Sequence, residues 1–138
     1  MRYPVILEPV AEGGYFVSFP DIPEALTQGD TREEALEMAL DALITSFEFY
    51  FEDNKKIPLP HPVGQDEDYV EVPLSVASKV LMLNAFVDSK LTQIELANRM
   101  GVKKQEVTRI FDLHHSTKID TVAKAATAIG HQLTLSIE

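Results

Sequence analysis

Leu91-Thr92-Gln93-Ile94-Glu95-Leu96-Ala97-Asn98-Arg99-Met100-Gly101-Val102-Lys103-Lys104-Gln105-Glu106-Val107-Thr108-Arg109-Ile110 is the stretch that decides how the second half of the chain folds. Thr92 stands where a helix would be capped, and Glu95 follows three residues later as its reciprocal partner. Ala97 is small where two helices must cross closely. Gly101 follows Met100, where a sharp turn needs positive φ. Val102 can plug that turn into a core, and Val107 and Ile110 can hold a second short helix down. The pattern is that of a helix-turn-helix. It leaves Lys103, Lys104, Gln105, Thr108 and Arg109 facing outward. Such a face suits a DNA major groove, because Gln can pair with adenine and Arg or Lys with guanine. A compact helical bundle with a merely polar face is the competing reading, and it does not explain why cap, small residue and turn glycine coincide.

Outward from this stretch, Ser75 to about Asp88 carries Val76, Val80, Leu83 and Val87 at helical spacing, and a further helix is expected at about 119–129. Gln132 to Glu138 alternates, with Leu133, Leu135 and Ile137 on one face, which predicts a short terminal β-strand. A lone edge strand needs a partner. The simplest is the same strand of a second copy, giving a two-fold dimer that reads a palindromic operator, as a homodimer or a tetramer built from it. Two departures from an ideal DNA-binding helix stand out. Glu106 is acidic, and the segment ends in Asp112-Leu113-His114-His115-Ser116 rather than a glycine loop. Two adjacent histidines do not converge on one ion, and no third ligand is near in sequence, so no metal is expected.

The formal net charge of -10 opposes DNA binding until the chain is divided. Residues 1–73 carry 4 Lys/Arg against 16 Asp/Glu, a formal -12, and residues 74–138 carry 8 against 6, a formal +2. An acidic domain is joined to a mildly basic one, and the two should have different partners. There is no cysteine, so disulfides and thiolate zinc sites are excluded, which fits a cytoplasmic location. No apolar run suffices to span a bilayer, and the N-terminus reads as a strand rather than a signal peptide.

In the acidic half, Tyr3, Val5 and Leu7 alternate, and Tyr15–Phe19 follows Glu12-Gly13-Gly14, which makes two strands around a glycine turn. Ala25-Leu26-Thr27 is a short third strand. Thr31-Arg32-Glu33-Glu34 opens a helix to about Phe51, with Leu36, Ala39, Leu40, Leu43, Ile44 and Phe47 on one stripe. Residues 54–68 hold Pro58, Pro60 and Pro62 and then Asp66-Glu67-Asp68, a Pro-rich acidic loop. Tyr69–Val72 is a fourth strand. The fold class is α+β: a β-β-β-α-β domain over 1–73, then an all-α domain over 74–138 ending in a strand.

Two resemblances follow. The stretch from Leu91 to Gly130 resembles phage-repressor domains of the Cro and XRE type. That implies DNA-binding roles for Thr92, Gln93, Lys103, Lys104, Gln105, Thr108, Arg109 and Lys118, with Gln93 touching a phosphate or bracing the second helix. The string Glu12-Gly13-Gly14-Tyr15-Phe16-Val17-Ser18-Phe19-Pro20-Asp21-Ile22-Pro23-Glu24-Ala25-Leu26-Thr27-Gln28-Gly29-Asp30-Thr31-Arg32-Glu33-Glu34-Ala35 closely resembles the HicB antitoxins, and the likeness runs on through Leu74–Lys79. It implies a partial RNase H-like fold that binds and neutralises a HicA-type toxin, a small mRNA-cutting ribonuclease, and a repressor of its own operon. A -12 domain complements a basic RNA-gripping partner. Tyr15, Phe16, Asp21 and Glu24 are the candidate toxin contacts.

Two rival classes compete with this reading. A metal-dependent nuclease could recruit Glu8, Asp21, Asp30 and Asp41, but nothing in the sequence fixes them as a cluster. No nucleophile–base spacing and no phosphate loop is present, so no catalytic residue, cofactor or enzyme activity is expected. A ligand-sensing repressor without a toxin partner remains the other alternative.

Overall fold

The computed structural model describes residues 1–138. The chain divides into two compact units, Met1–Phe49 with Pro58–Pro73, and Tyr50–Ile57 with Leu74–Glu138.

The first unit holds strands β1 (Arg2–Pro9), β2 (Tyr15–Ser18) and β3 (Leu26–Gly29), most of helix α1 (Arg32–Glu52), and strand β4 (Asp68–Glu71). The strands form one antiparallel sheet in the order β3-β2-β1-β4. The β1–β2 connection turns through Gly13 and Gly14 at φ 100° and 80°. At Gly14 a side chain is also excluded by space, since a Cβ there would lie 2.6 Å from the Gly29 carbonyl oxygen.

Period-two alternation sorts the strands into two faces. Tyr3, Val5, Val17 and Val70 are buried beneath α1. The helix presents Ala35, Ala39, Leu43 and Phe47, each fully buried, while Leu36, Leu40 and Ile44 are half-buried on its flank. The small residues come first because the start of α1 lies directly on β3. A Cβ at Gly29 would stand 2.5 Å from the Ala35 nitrogen. Farther along, Phe47 meets Tyr3 with ring centroids 5.5 Å apart. Each large side chain buried this way contributes about 1.5–3 kcal/mol. The Tyr3 hydroxyl donates to the Pro58 carbonyl at 2.8 Å, tying the proline loop to the sheet. At the helix start the Thr31 hydroxyl accepts the Glu34 N–H at 3.1 Å, and Arg32 pairs with Asp68.

The second unit contains α2 (Leu74–Ser89), α3 (Gln93–Met100), α4 (Lys104–Ile110) and α5 (Ile119–Ala128). Its core gathers Met82 and Phe86 of α2, Leu96 and Ala97 of α3, Val107 and Ile110 of α4, and Val122, Ala125 and Ala126 of α5. Ile57 joins this unit by its backbone. Its N–H donates to the Asn84 side-chain oxygen at 2.8 Å, and its carbonyl accepts from the Asn84 amide at 2.9 Å.

The sequence predicts a strand over 132–138, and the single chain forms none. A strand exists only where a ladder partner supplies its hydrogen bonds, and no segment of the chain pairs with these residues. The three apolar side chains of this segment are not equivalent either. Leu133 packs against the helical core, whereas Leu135 and Ile137 are exposed.

Candidate nucleic-acid interface and candidate partner face

The α3–α4 pair is held by local chemistry that its sequence encodes. The Thr92 hydroxyl accepts the Glu95 N–H, and the Glu95 carboxylate accepts the Thr92 N–H, both at 3.1 Å, so the capping box is closed. Gly101 ends α3 in the left-handed conformation at φ 70°. The next N–H, of Val102, donates to the Ala97 carbonyl at 3.0 Å. Ala97, Val107 and Ile110 are buried, and Val102 is half-buried.

With those residues turned inward, Lys103, Lys104, Gln105, Thr108 and Arg109 are all exposed. Lys104 and Thr108, and Gln105 and Arg109, stand one turn apart and share one side of α4. The Thr108 hydroxyl lies 3.0 Å from Gln93 Oε1, which joins the start of α3 to α4, and 3.2 Å from the Lys104 carbonyl. Thr92 is occupied as a cap. Lys118 is exposed at the start of α5. Glu106, the acidic exception, borders a shallow groove with Arg99, Asp120 and Lys124.

Sequence reasoning missed the residue that fixes the far end of α4. Lys79 is buried at 3% exposure, and its ammonium donates to the carbonyls of Arg109, Asp112 and His115 at 3.1, 2.7 and 2.7 Å. All three protons of the ammonium are therefore used. These carbonyls belong to the C-terminal end of α4 and the loop after it, where a cation also meets the negative end of the helix dipole. Burial pushes the Lys79 ammonium below its ordinary pKa, against the opposing pull of the Asp112 carboxylate. The signal was present in the sequence: Lys79, Met82, Leu83 and Phe86 fall at i, i+3, i+4 and i+7, which puts a charge on an apolar stripe. The adjacent histidines serve the same loop. The His115 carbonyl accepts from Lys79, its ring Nδ1 lies 3.1 Å from the Thr117 hydroxyl, and the His114 N–H donates to Asp112 at 2.9 Å.

The candidate partner contacts of the first unit do not share one face. Tyr15 points to the covered side of the sheet and is half-buried, whereas Phe16 points to the opposite side and is 39% exposed. Glu24 is exposed in the turn before β3. Asp21 is engaged by the proline loop, because its two oxygens receive the His61 backbone N–H at 3.3 Å and contact the His61 ring at 3.0 Å. The other ring nitrogen of His61 lies 3.8 Å from Glu67, which in turn accepts the Gly64 N–H at 2.7 Å. The hydrogen bond to Asp21 is the main reason that His61 is held above its ordinary pKa, and the two carboxylate charges add to it.

Glu8 lies on the uncovered side of the sheet and Asp41 on the exposed side of α1. No three His, Asp or Glu side chains come together as a metal-ligating group. No helix is long and apolar enough to cross a membrane.

Comparison with known proteins adds a family. Residues 2–81 match the family described as HicB-like antitoxin of bacterial toxin–antitoxin systems. The chain is 91% identical over 138 residues to "Antitoxin HicB 1" of Photorhabdus laumondii, covering 100% of this chain and 88% of that protein. It is 64% identical over 135 residues to "Antitoxin HicB" of Escherichia coli strain K12, covering 98% of each. It is 37% identical over 127 residues to "Antitoxin HicB" of Pseudomonas fluorescens, covering 91% of this chain and 87% of the relative.

Proposed function

The chain belongs to the HicB-like family of antitoxins of bacterial toxin–antitoxin systems, and from that premise we propose that it has two tasks, neutralising a HicA-type toxin and repressing its own operon. The acidic residues 1–73, a partial RNase H-like domain, cover a small basic ribonuclease. Residues 74–138 act as a phage-repressor-type helix-turn-helix that sits on operator DNA in the cytoplasm.

The observation that carries this division is the charge split of -12 against +2 on two compact units. A strongly acidic unit attracts a basic RNA-binding protein and is repelled by DNA. The other unit offers Gln105 and Arg109 to base edges, and Lys103, Lys104 and Lys118 to phosphates. Gln93 and Thr92 set the frame of that face, and Thr108 extends it.

The +2 unit is weakly charged for a DNA binder, so affinity must come from two copies and a few placed groups. Pairing of the 131–138 segments, through Leu135 and Ile137 together with Leu133, would supply the two-fold dimer, or the tetramer assembled from it. Deleting residues 131–138 is expected to leave a monomer with weak operator binding; a dimer that still binds operator would refute the strand-pairing scheme.

The decisive experiment is co-purification with the product of the neighbouring reading frame, followed by an operator shift. Arg109→Ala is expected to abolish the shift and leave toxin inhibition intact. Release of the toxin by the same substitution would overturn the two-task division. A lone dimer whose operator binding responds to a small inducer would instead favour a ligand-sensing repressor.

A further inference from the structure

The sheet of the first unit is covered by α1 on one side only. Its other side carries Arg2, Pro4, Ile6 and Glu8 of β1, Phe16 and Ser18 of β2, Leu26 and Gln28 of β3, and Tyr69 and Glu71 of β4. The register sets these residues in rows, with Leu26 beside Ser18 beside Ile6, Gln28 beside Phe16 beside Glu8, and Tyr69 beside Pro4. Four large apolar side chains in these rows are exposed, Ile6 at 44%, Phe16 at 39%, Leu26 at 54% and Tyr69 at 42%, the last with the Arg2 guanidinium over its ring.

An antiparallel sheet with a solvated outer face ordinarily alternates apolar-in with polar-out. Here large apolar residues occupy both sides of β1 and β2, and β3 adds Leu26 to the uncovered side. Four strands spaced about 4.8 Å apart and about four residues long give a face on the order of 250 Å², which the apolar side chains share with Arg2, Glu8, Ser18, Gln28 and Glu71. Its size is within that of the largest apolar patch on an ordinary monomer, which is itself often functional.

We infer that this uncovered sheet face, centred on Ile6, Phe16, Leu26 and Tyr69, is where the toxin docks. The assignment rests on the toxin-neutralising reading above and adds the surface to it. Charge selects the occupant. A second copy of the same face would bring two -12 units together, which like-charge repulsion opposes, whereas a basic protein is attracted to it. On the face itself, Glu71 is already neutralised by the N-terminal amine at 3.2 Å and by Arg2 at 3.6 Å, and Arg2 also covers the Tyr69 ring at 4.8 Å. Glu8 lies beside Phe16 without such a counter-ion, so one carboxylate remains for a cation of the partner. A stable interface buries about 800 Å² on each side. The footprint must therefore spread from the sheet to the flanking turns that carry Glu12 and Glu24.

The test uses the full chain and the purified product of the neighbouring toxin reading frame. Affinity is measured by titration calorimetry, and operator binding and thermal melting report that each variant is folded. Phe16→Glu and Leu26→Glu are expected to weaken toxin binding about thirtyfold or more, the scale of an interface hot spot. The double truncation Phe16→Thr with Leu26→Thr keeps strand propensity and should show the same loss if the glutamates disturb the sheet. Met38→Glu and Phe49→Glu, on the exposed side of α1 at 40% and 61% exposure, should change affinity less than about twofold. Normal toxin binding by the folded sheet variants, or its loss only in the α1 variants, overturns the assignment of the face while leaving the antitoxin reading intact. A change in self-association without a change in toxin binding also overturns it, in favour of a second copy. A wild-type chain that does not bind the toxin at all removes the reading itself, and the face with it.

Discussion

The two units use their exposed residues in opposite ways. The sheet unit leaves large apolar side chains uncovered on a strongly acidic body, whereas on the outer face of α4 the helical unit shows Lys104, Gln105, Thr108 and Arg109. An exposed apolar sheet face recognises another protein by burial. A helix face of forked and amide side chains recognises hydrogen-bonding edges and phosphates. The difference teaches that one small chain can present two unlike surfaces without a large core, provided each unit sets its face by a few fixed contacts. In the sheet unit these are the close approach at Gly29 and the hydroxyl of Tyr3. In the helical unit they are the Thr92 cap and the three bonds of Lys79.

The sharpest way to break the comparison is at the outer face of α4. A base contact of the Arg–guanine or Gln–adenine kind is worth about 1–3 kcal/mol. In a two-fold dimer each loss counts twice, so Arg109→Ala or Gln105→Ala should weaken operator binding by about 2–6 kcal/mol in a fixed-salt shift assay. The slope against salt should change little for Gln105→Ala and fall by about one per lost phosphate contact for Lys104→Ala. Equal effects from all three substitutions would mean that the face is a uniform charge patch rather than a reading surface.

Lys79 tests how far the two units depend on one another. Replacing it with Met removes a charge-assisted donor from three carbonyls, and hydrogen bonds to a charged group contribute about 1.5–3 kcal/mol. Lys79→Met should cost about 3 kcal/mol in urea unfolding, with amide protection lost in α2, α4 and α5 and kept in the sheet. Loss of protection in the sheet at the same urea concentration would show that the two units melt as one. The same residue corrects the charge account. One of the eight cations of residues 74–138 is internal, so still less of the proposed DNA affinity can come from bulk charge.

Gly29→Ala is the corresponding disturbance in the sheet unit. Its Cβ would meet the backbone of Ala35, which cannot rotate away, so α1 must shift from the sheet at about 2 kcal/mol, within the range for overpacking. Toxin binding should fall with stability, and operator binding should not. Thr92→Ala is smaller, about 1 kcal/mol for a lost cap, and it should lower both the stability of the helical unit and operator affinity.

Many of the helices and strands of both units were legible in the sequence for identifiable reasons. The α3–α4 pair was readable because cap, small residue and turn glycine act locally, within 20 residues of chain. The sheet and α1 were readable from their periods of two and three to four. What escaped depends on long-range placement. Alternation put Tyr3, Val5 and Leu7 inside, but only the strand order shows Ile6 sharing an uncovered face with Phe16, Leu26 and Tyr69. Lys79 escaped because a lysine is ordinarily counted as surface charge, although its place on the apolar stripe of α2 was visible. The terminal strand was predicted from alternation alone, which records a face and not a hydrogen-bonding partner, and the single chain has no ladder for it.

The smallest expected effect lies in the proline loop, where His61 spans Asp21 and Glu67. The hydrogen bond to Asp21 and the two nearby carboxylates raise the His61 pKa above 6.5. The folded chain therefore holds this proton more tightly than the unfolded one. The loop's stabilisation is fully present below about pH 6.5 and is lost as pH rises through the folded value. Because the ring is exposed, solvent screens the effect and the change in global stability is small. An NMR titration of the His61 ring should place its midpoint above 6.5, and Asp21→Asn should lower it. A His61 midpoint unchanged by Asp21→Asn would show that the loop is not latched to Asp21 in solution. The acidic rim of the sheet unit would then have one more free carboxylate, and the contrast between the two units would grow rather than shrink.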